Sequence, residues 1–234
     1  MVIEFVGGTA CVVAGLMTYG VRSRSSSLFA PSVWRGARDR RAIALTFDDG
    51  PSESTPRLLE LLEREGARAT FFQCGANVRR LAEIARAVAQ AGHEIGNHSD
   101  SHARFYPRSA AFMEGEMTQA QEAIQQATGK APALFRVPYG ARWIGLGRAQ
   151  KRLGLLGVMW TAIALDWKLS AGAIAARLLG AASNGAIFCL HDGRELQPRP
   201  DVGETLESVR RLIPELRARG FQFETVSQIL CPTN

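Results

Sequence analysis

Two aspartates, Asp48 and Asp49, stand side by side at the end of the apolar run AIALTF, just before a Gly-Pro turn. Adjacent carboxylates repel, and burial raises the cost of charging both. A divalent cation removes that difficulty, because one carboxylate can bind the ion while its neighbour keeps a separate task. His98 and His102, in NHSDSH, have the i, i+4 spacing that puts two imidazoles on one side of a helical turn or a tight loop. With Asp49 as third ligand they make the two-histidine, one-carboxylate set of a catalytic zinc site with an open position for water. Asp48 is then left to take a proton from that water. His191 lies far along the chain from the other two and suits a general acid. Asp166 is the natural partner to hold its pKa high, and Arg136 the natural partner to keep Asp48 ionised.

Taken singly, each feature has an ordinary structural explanation: an Asp pair after a strand is usually a turn or a cap, and HxxxH, RxPY or LHDG alone says little. Other residues read as structural. His93 opens a strand, Asn97 braces a loop by side-chain hydrogen bonds, Asp192 forms or braces a turn, and Cys74 and Cys189 are small core residues.

The elements that must position the chemistry alternate along the chain. Strands are expected at 43–47, 69–73, 93–97, 133–137, 155–163, 186–190 and 221–226. Helices are expected at 53–65, 78–91, 109–128, 144–153, 170–179 and 204–219, several ended by glycine. Such alternation predicts an α/β fold with a parallel sheet, closed or nearly closed into a barrel of seven units; an open doubly wound parallel sheet is the alternative. A barrel places chemistry at the C-terminal ends of its strands. Asp48 and Asp49, His98 and His102, Arg136 with Pro138 and Tyr139, Asp166 with Trp167, and His191 all fall there.

The chain has 234 residues, 46% of them apolar, ample for a core and contrary to disorder. Cys11, Cys74, Cys189 and Cys231 are far apart without a CxxC pair, against a zinc ribbon or a disulfide framework. The net charge of +6 comes without a basic stripe interleaved with aromatics, and no nucleic-acid motif is present. Residues 5–21 carry no charge and precede Arg22 and Arg24; residues 1–21 are expected as a membrane anchor or uncleaved signal, with a packed soluble segment as the alternative. The arginines after that stretch favour a downstream domain on the cytoplasmic side. Residues 22–40, rich in Ser and Arg, read as a linker, and 41–234 as the catalytic domain.

The motifs TFDDGP (46–51), GARATFFQCG (66–75), HSDSH (98–102), RVPY (136–139), LDW (165–167) and LHDG (190–193), in this order, resemble the polysaccharide deacetylases, the NodB-homology or carbohydrate esterase family 4. The resemblance covers about residues 41–230. It implies a distorted (β/α)7 barrel and one divalent metal, usually zinc, with cobalt, nickel or manganese as alternatives. It implies removal of N-acetyl groups from a GlcNAc-containing polymer such as peptidoglycan or chitin, and hence an envelope location. By position, Asp48 is the base, Asp49, His98 and His102 the ligands, Arg136 the residue orienting the base, His191 the acid and Asp166 its partner. From the resemblance alone come an oxyanion role for the Tyr139 N–H, a place beside it for Pro138, and an acetyl pocket lined by Trp167 and Leu190. Two positions depart from the pattern: Ile163 stands where an Asp is usual, and Cys189 where an aliphatic residue is common. The competing readings are an O-acetyl esterase or small cyclic-amide hydrolase on the same barrel, and a glycan-binding protein without activity.

Overall fold

The computed structural model describes residues 2–231, with side chains from residue 12 onward. Its sheet is built from parallel strands. β1 is Ser32–Val33, β2 Ala42–Gly50, β3 Ala69–Gln73, β4 Glu94–Asn97 and β5 Leu134–Phe135; β6 is Leu156–Val158, β7 Ala162–Ile163, β8 Ala186–His191 and β9 Gln222–Phe223. The order is β1-β6-β5-β4-β3-β2-β8-β7, with β9 paired to the start of β2. β6 and β7 sit at the two ends of a seven-strand run, yet only residues 159–161 separate them in the chain. The sheet must therefore curl until its ends meet, which gives the distorted barrel rather than an open sheet.

Helices α1 (Val2–Arg22), α2 (Thr55–Arg64), α3 (Gly75–Arg80), α4 (Ala82–Gln90), α5 (Ala110–Thr128), α6 (Leu146–Leu153), α7 (Ala171–Gly180), α8 (Gly203–Ala218) and α9 (Val226–Leu230) complete the described chain. The pleat of β2 explains the layering, since successive side chains point to opposite faces. Ile43, Leu45 and Phe47 join Phe188 and Leu190 of β8 in the main core, together with Leu58 and Leu62 of α2 and Val209 and Leu212 of α8. The opposite parity, Ala42 and Ala44 with Ile187, Phe72, Leu134 and Val158, packs in a second cluster with Val226 and Ile229 of α9. Thr46 and Asp48 continue that second parity on β2, and Cys189 and His191 continue it on β8.

Four expectations are corrected. The strand at 155–163 is two strands, β6 and β7, divided at the barrel seam. The helix at 78–91 begins at Gly75 and breaks at Leu81, whose φ of −128° and ψ of 47° are not helical. The last strand stops at Phe223, because Thr225 and Gln228 form a reciprocal capping box that starts α9. The linker at 22–40 is packed onto the barrel: β1 pairs with β6, Ala30 is buried, Trp34 packs on Phe135 and its neighbours, and Gly36 N–H donates to the Gly185 carbonyl at 2.8 Å. Its apolar residues, Leu28, Phe29, Ala30, Val33 and Trp34, outweighed its Ser and Arg content. Among the described residues no helix is long and apolar enough to cross a membrane. The apolar stretch 5–21 lies within α1, where Val12, Val13, Leu16 and Tyr19 are exposed and Val21 is buried; the side chains before residue 12 lie outside the description.

Phe188 is wholly buried between β8 and the helices. Phe188→Ala is expected to cost about 3–5 kcal/mol of stability, read from urea unfolding.

Candidate active site and metal centre

Asp48 and Asp49 part company at the end of β2. Asp48 stays in the ladder opposite His191, whereas the β2–β3 register steps from Asp48 to Gly50 and leaves Asp49 bulged. Asp49 has φ 71°, a left-handed backbone that turns its carboxylate away from that of its neighbour. A side chain at Gly193 would collide with the Asp49 carbonyl, so the turn needs glycine at that close approach.

Asp49 Oδ1 lies 3.3 Å from His98 Nε2 and 3.0 Å from His102 Nε2. Its Oδ2 accepts the Glu195 N–H at 2.8 Å. His98 Nδ1 is 2.7 Å from the Arg136 carbonyl. A carbonyl only accepts, so Nδ1 carries the proton and Nε2 presents a lone pair. Asp49 Oδ1 is buried without a hydrogen-bond partner, and so is His102 Nδ1. Lone pairs converging on one point repel unless a cation lies between them, so the donor set fits a divalent metal. The histidines sit on a tight loop, not a helix, with positive φ at Ser99 and His102. Asn97 braces the loop as expected: its amide donates to the Met117 carbonyl at 2.8 Å and its oxygen accepts Ser99 N–H at 2.9 Å. Burial alone would push the Asp49 carboxyl up; the adjacent His102 and His98 rings, with His191 beyond them, hold it well below the usual carboxylate range.

Arg136 is wholly buried. Its Nη1 reaches Asp48 Oδ1 at 2.7 Å and Thr46 Oγ1 at 2.6 Å, while Nε and Nη2 donate to the Val158 and Met159 carbonyls, each at 3.1 Å. The second Asp48 oxygen faces Cys189 Sγ at 3.4 Å. Across the site, His191 Nδ1 is 2.8 Å from Asp166 Oδ1, and Thr205 donates to Asp166 Oδ2 at 2.7 Å. Burial alone would lower the His191 pKa; the hydrogen bond and charge of Asp166 outweigh it and raise it to about 9. Trp167 stands edge-on to the His191 ring at 5.1 Å between centroids.

These groups open on one cavity of about 890 Å³ that gathers Asp48, Asp49, His98, His102, Tyr139, Trp167 and His191. Ile163 and Cys189, the two departures from the motif pattern, both line it. Leu190 does not: its strand parity sends it into the main core, and Cys189 takes the wall position expected of it. Pro138 is buried within the short 3-10 turn Pro138–Gly140 and is not a wall residue. Tyr139 has φ 58°, and its hydroxyl donates to Glu195 Oε1 at 2.7 Å. Burial and then that bond raise its pKa to about 12. His93 is structural, as expected: Nδ1 accepts Ala69 N–H at 3.2 Å, and burial followed by the Arg68 charge lowers its pKa to about 4. Asp192 is also a brace, bonded through Oδ2 to Thr55 at 2.5 Å.

No motif points to Glu195 or Thr205, which reach Asp49 and Asp166 from distant parts of the chain. Nor does the sequence show that Met17, Thr18, Val21 and Arg22 of α1 wall one side of the cavity. The alternation of β8 was the signal that could have exchanged Leu190 for Cys189.

A curled parallel barrel with a metal-ligand triad, a buried carboxylate and a carboxylate-bound imidazole at its strand ends has the layout of a metal-dependent hydrolase. The family model for polysaccharide deacetylase matches residues 35–158, and the chain belongs to that family. It is 32% identical to a peptidoglycan-N-acetylglucosamine deacetylase of Listeria monocytogenes, over 87% of this chain but only 42% of that protein. It is also 32% identical to a chitooligosaccharide deacetylase of Azorhizobium caulinodans, over 81% of this chain and 95% of the other. A solved peptidoglycan N-acetylglucosamine deacetylase superposes with a TM-score of 0.79 at 29% identity, covering 85% of this chain and 92% of that one.

A divalent cation at about 100 times its dissociation constant should stabilise metal-stripped protein by about 2.7 kcal/mol. The rise in melting temperature should vanish in His102→Ala.

Proposed function

We propose that this chain is a metal-dependent hydrolase that removes N-acetyl groups from a GlcNAc-containing polysaccharide, peptidoglycan or a chitin-type polymer, releasing acetate. The observation that carries it is the complete set of Asp48, Asp49, His98, His102 and His191 on one cavity. The Listeria and Azorhizobium relatives support the substrate class. Asp49, His98 and His102 would hold the ion, zinc by its nitrogen and oxygen donors, with cobalt, nickel or manganese as substitutes; bound there, it polarises the acetyl carbonyl and acidifies water.

The chain's own groups do the rest. Asp48 takes the proton of the attacking water, with Arg136 holding its other oxygen. The Tyr139 N–H, on its left-handed turn, donates to the developing oxyanion. His191 Nε2, left free by the Nδ1 bond to Asp166, gives its proton to the departing amine. Trp167 and Cys189 flank the acetyl group. Because such polymers lie in the cell envelope, we place the working enzyme there, with α1 as its point of association.

Acetate release from chitooligosaccharides and peptidoglycan, with stripped and zinc-loaded protein, is the deciding test; release only from O-acetylated glycans would move the assignment to an esterase. His191→Ala should slow amide cleavage by roughly 10²–10⁴. Asp48→Asn should lose activity while retaining the ion in metal analysis. The acid must be protonated, so the rate should fall as pH rises through about 9, and Asp166→Asn should move that limb to lower pH. The same shift makes the His191–Asp166 pair fully stabilising only below the ordinary imidazole value of about 6.5, with that stability lost as pH rises through about 9.

A further inference from the structure

The adjacent aspartates feed two donor sets. Among the described residues, the two groups able to hold an ion are Asp49–His98–His102 and Asp48–Cys189–His191. The second set is not needed to bind the catalytic metal. Each of its residues offers one ligand atom, and these lie within 4.8 Å of one another. A tetrahedral ion about 2.0–2.3 Å from oxygen, nitrogen and sulfur ligands needs them about 3.3–3.8 Å apart. The 3.4 Å between Cys189 Sγ and Asp48 Oδ2 already meets that.

Backbone geometry fixes the set. Cys189 and His191 are alternate residues of β8 and face the same side. Asp48 is the direct ladder partner of His191 on β2. The free atoms are also decided by their other bonds. Arg136 occupies Asp48 Oδ1 and leaves Oδ2 toward the thiol. Asp166 occupies His191 Nδ1 and leaves Nε2, the carboxylate–histidine arrangement that orients metal ligands. A thiolate, an imidazole and a carboxylate together select soft divalent ions.

We infer that Asp48, Cys189 and His191 form a second, inhibitory site for a thiophilic divalent cation such as cadmium or excess zinc. Binding forms a sulfur–metal bond and releases the Cys189 thiol proton to solvent. The ion then occupies the lone pairs of both Asp48 and His191, which removes base and acid together. The inhibition rests on the activity proposed above; the binding does not.

The test uses the full chain with Cys11→Ser and Cys231→Ser, which leaves Cys189 and the wholly buried Cys74 as its thiols, told apart by the Cys189→Ser variant. Zinc-loaded protein is titrated with cadmium. One further equivalent should bind with an ultraviolet thiolate-to-metal charge-transfer band. Cys189→Ser should abolish the band and keep the first equivalent, whereas His102→Ala should lose the first equivalent and keep the band. Cadmium NMR of the protein with Cys189 intact should show a resonance shifted downfield by sulfur, which decides the matter even if the Cys189 variant misfolds. At cadmium about ten times its dissociation constant, acetate release should fall roughly tenfold by mass action, whereas Cys189→Ser, whatever its own cadmium-free rate, should keep the same rate with and without cadmium. Saturation at one equivalent without a band, or a band that survives Cys189→Ser, would overturn the site. A band with no acetate release under any condition would sustain the site and remove the deacetylase reading instead.

Discussion

The buried pair of Arg136 and Asp48 is the constraint on which the rest is arranged. Both charges are almost wholly buried, and removing one partner from such a pair typically costs about 3–5 kcal/mol. The fold meets that demand by surrounding the guanidinium with acceptors: Thr46 and Asp48 from β2 and the carbonyls of Val158 and Met159 beside the seam. The Phe72 ring lies 4.2 Å from its centre. One side chain thus ties β2 and the end of β6 to the end of β5, while holding Asp48 in place.

Around this pair the backbone is held in conformations that side chains resist. Among the described residues, the non-glycine positions with positive φ are Asp49, Ser99, His102, Tyr139, Leu165 and Glu195. Every one is a site residue or adjoins one. Each such residue carries a cost of order 1–3 kcal/mol that the surrounding core must offset. The gain is direction: Asp49 turns toward the histidines, Tyr139 toward the cavity, and Leu165 reverses the chain so that Asp166 meets His191.

Much of this was legible in the residues. Polar side chains that break strand patterns fell at strand ends, and a parallel barrel has only one rim for them, so Asp48, Asp49, His98, His102, Arg136, Asp166 and His191 were found together. What was hidden has particular reasons. The division of 155–163 depends on closure of the sheet, which no local pattern encodes. Glu195 and Thr205 reach Asp49 and Asp166 from loop and helix positions without a motif. Leu190 enters the core and Cys189 the cavity because side chains alternate along β8, a parity that the LHDG motif does not express. The packed stretch at 22–40 was masked by its serines and arginines, although Trp34 and Phe29 needed burial.

Arg136 supports His98 and Asp48 by different parts of itself. Its carbonyl fixes the His98 ring, and its guanidinium holds Asp48. A main-chain carbonyl survives any exchange of side chain, but the guanidinium does not. Exchange of this one residue would therefore release Asp48 while leaving in place the carbonyl that orients His98. The two halves of the site are thus separable at a single position, at the cost in stability that loss of a buried ion pair carries.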